Sequence, residues 1–194
     1  KGWSGKGVYY SDDEYNNLPY YFKNNGYVRL DGTVFKDIEG FAEVDFLRSL
    51  QLIIFKSFLG LTSSKSIVEY GCGTGSNIDF IRKNLSVPYK FYGTDWAKSA
   101  CIKLIENKIL DSKCVFQVNY FDKNTFKSPE ESYIAFTNAS LEQAGNSYEE
   151  FIDYLINDTP CEMGIHIEPI RELLDLSIPL NLQSLDSIEM QNIE

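Results

Sequence analysis

From residue 40 onwards the chain alternates between two hydrophobic periods. Phe41, Val44, Leu47, Leu50, Ile54 and Phe58 recur at steps of three and four, the spacing of one face of a helix, and Gly60 follows as a stop. Short apolar runs then exchange with helical stretches. Residues 66–70 (SIVEY), 90–95 (KFYGTD), 114–121 (CVFQVNYF), 132–138 (SYIAFTN) and 163–169 (MGIHIEP) predict strands. Residues 77–85, 97–110 and 147–158 predict helices. In the second helix Ala97, Ala100, Cys101, Leu104 and Ile105 share a face; in the third, Ser147 and Glu150 have capping-box spacing. Strands that alternate with helices predict an α/β fold, with a doubly wound, mainly parallel sheet. Residues 1–39 break this pattern. They are rich in Tyr, Gly, Asn and Asp, show no sustained period, and read as an irregular segment with a short helix near Asp12–Leu18. The division expected is therefore 1–39 as a packing segment or lid and 40–194 as one domain.

Composition narrows the partners. A hydrophobic fraction of 43% and a charged fraction of 24% suit a globular domain. The net charge of -10, without a Lys/Arg cluster, argues against nucleic acid and for a small-molecule partner. The cysteines at 72, 101, 114 and 161 form no CxxC pair and the chain has one histidine, so no metal site is expected. Four reduced thiols fit a cytoplasmic protein. No apolar run reaches the ~18 residues of a membrane span, and no signal-peptide pattern is present. The chain starts at Lys1, as a piece cut from a longer protein would.

The chemistry concentrates in residues 67–77, IVEYGCGTGSN. Gly71, Gly73 and Gly75 lie between a strand and a helix, where glycine permits a tight turn and close approach of a ligand to the backbone. The spacing is GxGxG, and Ser76 stands where a dinucleotide fingerprint wants Gly or Ala. Glu69 precedes the glycines, and no Lys or Arg occurs between Ser66 and Ile81. A pyrophosphate wants helix N–H groups and positive charge. A carboxylate fits a cationic ligand better. Asp95 ends the second strand, 20 residues after Gly75, where a carboxylate can accept both hydroxyls of a ribose; it is also placed to cap the following helix. Trp96 is suited to flank an adenine or to pack in the core.

On these residues, Glu69-x-Gly71-x-Gly73-x-Gly75 and Asp95, the chain resembles the class I S-adenosylmethionine-dependent methyltransferases over about residues 64–170. The resemblance implies that S-adenosylmethionine is the cofactor. It implies that the three glycines pass under the methionine part, that Glu69 orients the amino group and that Asp95 holds the ribose. It places Asp122 near the adenine amino group, with Tyr120 or Phe121 as alternative adenine neighbours, and Thr137 and Asn138 near the transferable methyl. Asp122 in FDKN is also ordinary turn chemistry. A full domain of this family has seven strands; after Glu168 this sequence supplies one helix and little else, so the expected sheet lacks its C-terminal hairpin.

Alkylation of a hydroxyl needs a base. The candidates are Glu142, His166 and Glu168, the last two sharing one face of a strand. Leu141-Glu142-Gln143 and Ile167-Glu168-Pro169 are similar to segments of some small-molecule methyltransferases. The expected function is methyl transfer to a small-molecule acceptor, a hydroxyl of a sugar or other metabolite. An NAD-dependent oxidoreductase or epimerase and an inactive cofactor-binding module are the alternatives.

Overall fold

The computed structural model describes residues 27–30, 33–36, 43–170, 173, 175–177 and 181–182. The expected helix near Asp12–Leu18, most of the 1–39 segment and nearly all of the last expected helix lie outside them. In chain order the elements are β1 (Tyr27–Leu30), β2 (Thr33–Lys36), α1 (Glu43–Phe58), β3 (Ser66–Tyr70), α2 (Ser76–Asn84), β4 (Lys90–Asp95), α3 (Lys98–Glu106), β5 (Val115–Gln117), β6 (Tyr133–Asn138), α4 (Tyr148–Asn157) and β7 (Cys161–Ile167).

The last five strands form one sheet in the order β5-β4-β3-β6-β7, every pairing parallel. The chain builds outward from β3 to β5, then crosses back to β6 on the other side of β3. This reversal opens a crevice at the carboxyl ends of β3 and β6, the place where open α/β sheets receive ligands. Register puts Glu69, Gly93, Phe136 and Ile165 on one face, and Tyr70, Thr94, Thr137 and His166 on the other.

Helices cover both faces. On the first, Phe55 of α1 meets Phe136 edge-on with ring centroids 5.0 Å apart. On the second, Phe151 of α4 packs against Tyr70 at 4.9 Å and Tyr120 at 4.7 Å. Strands β3 and β6 are buried along nearly their whole length, as central strands of a sheet covered on both sides must be. All four cysteines are free, and Cys72, Cys101 and Cys114 are buried.

Several expectations need correction. Within the segment expected to be irregular, β1 pairs antiparallel with β2. The inward stripe is Gln51 and Phe55 of α1, continued by Leu59 just beyond its end, while Leu50, Ile53 and Phe58 are exposed. The run LQLIIF is apolar on too many sides for spacing alone to choose the face. Strand β5 ends at Gln117, four residues early, because Asn119 takes its N–H to the Thr125 hydroxyl at 2.8 Å and turns the chain. Ser147 makes no side-chain cap: a 3-10 segment, Leu141–Ser147, feeds directly into α4.

Candidate active site

Glu69 lies at the centre of the crevice. It is the last residue but one of β3, just before the glycine loop, and is 1% exposed. Its Oε1 accepts from Asn77 Nδ2 at 2.7 Å, but its Oε2 is buried with no partner among the described residues. Burial pushes its pKa up to about 8, against the pull of Asn77 and with some help from the charge of Asp95. Such a carboxyl is short of donors and ready to ionise beside a cation.

The loop after Glu69 is shaped by its glycines, all three at positive φ. A Cβ on Gly71 would stand 2.4 Å from the Ser140 Cβ, so only glycine fits there. Gly73 is the opposite case: a Cβ there would meet nothing within 4 Å. The middle of the loop thus exposes bare backbone to open space.

Asp95 is buried at the end of β4. Its Oδ2 accepts from the Gly73 N–H at 2.9 Å and its Oδ1 from the Ala97 N–H at 2.8 Å. It braces the glycine loop and the entry to α3 rather than capping a helical N–H. One lone pair on each oxygen remains for a further donor. Burial raises its pKa.

The residues expected near an adenine do not converge equally. Trp96 and Phe121 are 46% and 63% exposed, with ring surface available. Tyr120 is half-buried against Phe151, and its hydroxyl lies 3.2 Å from Ser140 Oγ. Asp122 closes its own turn, its Oδ1 accepting from the Asn124 backbone at 3.1 Å and side chain at 2.9 Å.

At the ends of β6 and β7 the polar residues separate onto two sides. Asn138 faces the Glu69 side, where its Oδ1 accepts from Gln51 Nε2 at 3.1 Å. Thr137 is fully buried on the opposite face, 2.8 Å from Nδ1 of the exposed His166. The imidazole leans back along β7, so that a Cβ on Gly164 would be 2.8 Å from its Nε2. Partial burial lowers its pKa, and the charge of Glu168 opposes this. Glu168 Oε2 accepts from three consecutive N–H groups, those of Ser140 at 2.9 Å, Leu141 at 3.1 Å and Glu142 at 3.3 Å. This nest holds the turn after β6, where Ala139 takes a positive φ of 49°. Glu142 lies beside Glu168, and burial together with that neighbour pushes its carboxyl well above the usual range. Glu142 Oε2 and Glu168 Oε1 have no partner among the described residues.

The structure therefore brings Glu69, the three glycines, Asp95 and Asn138 together at the ends of β3, β4 and β6, with Glu168 bonded to the turn that carries Glu142, and His166 on the opposite face of the sheet. Three contributors lack any motif. Gln51 and Asn77 join Glu69 to Asn138, and Ser140 fits under Gly71 while donating to the Tyr70 carbonyl at 2.9 Å. A polar Gln inside the apolar run LQLIIF was the one signal of Gln51. Among the described residues no three His, Cys, Asp or Glu side chains converge as metal ligands would.

Solved structures share this architecture. The plantazolicin methyltransferase BpumL in complex with a pentazolic desmethylPZN analog and SAH is similar over 77% of this chain, at a TM-score of 0.55 and 22% identity. The fold is that of the class I methyltransferases. The BpumL complex with SAH alone matches 78% of this chain at a TM-score of 0.53 and 18% identity. The small RNA methyltransferase HEN1 matches 82% at a TM-score of 0.53 and 13% identity. This methyltransferase-like chain spans only 60% of the BpumL chain in the SAH complex and 23% of the HEN1 chain. No family model matches the sequence, and no curated protein matches it.

Proposed function

We propose that this chain binds S-adenosylmethionine over the glycine loop and transfers its methyl group to a small molecule, a hydroxyl of a sugar or another metabolite. The observation that carries the reading is Glu69, a fully buried carboxyl with one oxygen lacking a donor, directly before a loop whose middle residue is uncovered. A cationic amino-acid group fits that vacancy of donors; a diphosphate would be repelled by it. The SAH complexes of BpumL, which has the same fold, support the choice of ligand.

In this reading Gly71, Gly73 and Gly75 lie under the methionine part, Glu69 accepts from its ammonium and Asp95 accepts from the ribose. Trp96 and Phe121 offer ring faces to the adenine; Tyr120 and Asp122 shape that end of the site. Thr137 and Asn138 bound the region of the methyl. When bound, the cofactor supplies an electrophilic methyl on a sulfonium. The chain aligns the acceptor and excludes water, which together account for several kcal/mol of barrier. His166 takes the hydroxyl proton: its lowered pKa keeps it neutral at pH 7, and its ring turns off Gly164 to reach the acceptor. Glu168 and Glu142 hold the rim on which the acceptor rests. Residues 40–194 are read as the catalytic domain. BpumL is a plantazolicin methyltransferase and HEN1 a small RNA methyltransferase; the net charge of -10 weighs against RNA here. Free thiols suit a cytoplasmic setting.

Calorimetry tests the reading. S-adenosylhomocysteine is expected to bind, and Asp95→Ala to weaken it by about tenfold or more through loss of charge-assisted bonds. NADH fluorescence enhancement without S-adenosylhomocysteine binding would assign the crevice to a dinucleotide instead.

A further inference from the structure

The crevice contains a second acceptor with no donor. Gln51 comes from α1, before the first strand of the parallel sheet, and is 3% exposed. Its neighbours along the inward stripe, Phe55 and Leu59, are apolar, so an amide here is explained only by polar company. Gln51 Nε2 donates to Asn77 Oδ1 at 3.3 Å and to Asn138 Oδ1 at 3.1 Å. Asn77 Nδ2 in turn donates to Glu69 Oε1 at 2.7 Å. Gln51 Oε1, like Glu69 Oε2, is buried without a partner among the described residues.

The chain of bonds has a direction. With a cation beside it Glu69 is ionised and accepts only, so Asn77 then presents its NH2 to Glu69, as it does at 2.7 Å, and its oxygen to Gln51. Gln51 must then present its NH2 to both asparagines, which turns its own oxygen away from them. The order set from the Glu69 end leaves two buried acceptors unsatisfied, on residues joined through Asn77. Unsatisfied buried acceptors are uncommon and call for a donor. A tetrahedral ammonium, with several N–H bonds, answers both at once.

We propose that Gln51 is a ligand-positioning residue, its Oε1 acting with Glu69 Oε2 as a paired acceptor for the ammonium of the cofactor's amino-acid end, and that Asn77 holds the pair in register. The inference rests on the cofactor reading above and deepens it. It makes α1 part of the binding site. It also leaves Asn138 Nδ2, which has no partner among the described residues, as a donor facing the acceptor side.

The test compares two ligands on the full chain by calorimetry. S-adenosylhomocysteine carries the amino-acid end; 5′-methylthioadenosine keeps the adenosine and thioether and lacks it. Gln51→Met preserves side-chain length and removes the amide. It is expected to weaken S-adenosylhomocysteine by roughly tenfold while leaving 5′-methylthioadenosine within about twofold. Asn77→Ala, at a half-buried position, is expected to give the same split, which covers a failure of Gln51→Met to fold. Equal losses for both ligands, or no loss for either, overturn the role of Gln51 while the cofactor reading stands. A wild-type chain that binds neither ligand overturns both.

Discussion

Glu69 and Glu168 both sit where parallel strands end, yet they are provided for in opposite ways. Glu168 Oε2 receives three backbone N–H groups and fastens a turn. Glu69 is more deeply buried, has Asn77 as its one side-chain donor with a weaker contribution from the Ile78 backbone, and keeps an oxygen with no donor. A carboxylate supplied by the backbone is part of the scaffold. One left short of donors is destabilising to the free chain and acquires its purpose from a ligand. The two regions meet at Gly71, where the glycine loop rests against Ser140.

The comparison can be broken most severely at that meeting point. Gly71→Ala forces a methyl to 2.4 Å from Ser140 Cβ on a backbone with φ of 74°. The expected loss is about 3 kcal/mol or more, a fall in Tm of roughly 10 °C. Melting within a degree of wild type would mean that the turn yields freely. Glu168→Gln comes next. It removes the charge from the three N–H groups, and about 1–2 kcal/mol of stability should go with it; affinity for S-adenosylhomocysteine should stay close to wild type. A variant with normal melting and lost affinity would make Glu168 a binding residue and collapse the contrast.

The smallest effect concerns pH. The Glu69 pKa is raised from 4.5 to about 8, so the folded free chain holds a proton that the unfolded chain releases. Its contribution to stability is fully present below pH 4.5 and is lost as pH rises to about 8. Glu142, shifted in the same direction, adds to the slope. Glu69→Gln should therefore melt a few degrees above wild type at pH 8.5 and show a shallower decline from pH 5, while binding S-adenosylhomocysteine less tightly. Parallel melting curves for the two proteins across that range would show that Glu69 is ionised in the free chain.

The central strands were legible because SIVEY, KFYGTD and YIAFTN are apolar runs that stop at turns, and burial on both faces is what such runs require. Glu69, the glycines and Asp95 were legible because their spacing along the chain fixes their places at two adjacent strand ends. Other features depend on partners distant in sequence. Gln51 meets Asn138 across 87 positions, and nothing local announces the meeting. Glu168 was readable as a base or an acceptor; that its oxygen gathers three N–H groups from the turn after β6 follows only from the pairing of β6 with β7. Ser147 and Glu150 had the right spacing for a cap, but the 3-10 segment before them removed the extended entry a cap needs. The pairing of β1 with β2 lies in a segment whose composition pointed to a loop.

The thiols give the molecule an internal stopwatch. Cys72, Cys101 and Cys114 are enclosed, and burial holds each in its protonated, unreactive form. An alkylating reagent can modify them only when the surrounding fold opens, so the rate of labelling reads out opening events. Cys72 sits inside the glycine loop itself, which makes its protection a direct gauge of how firmly that loop is clamped and of how much any bound nucleoside tightens it.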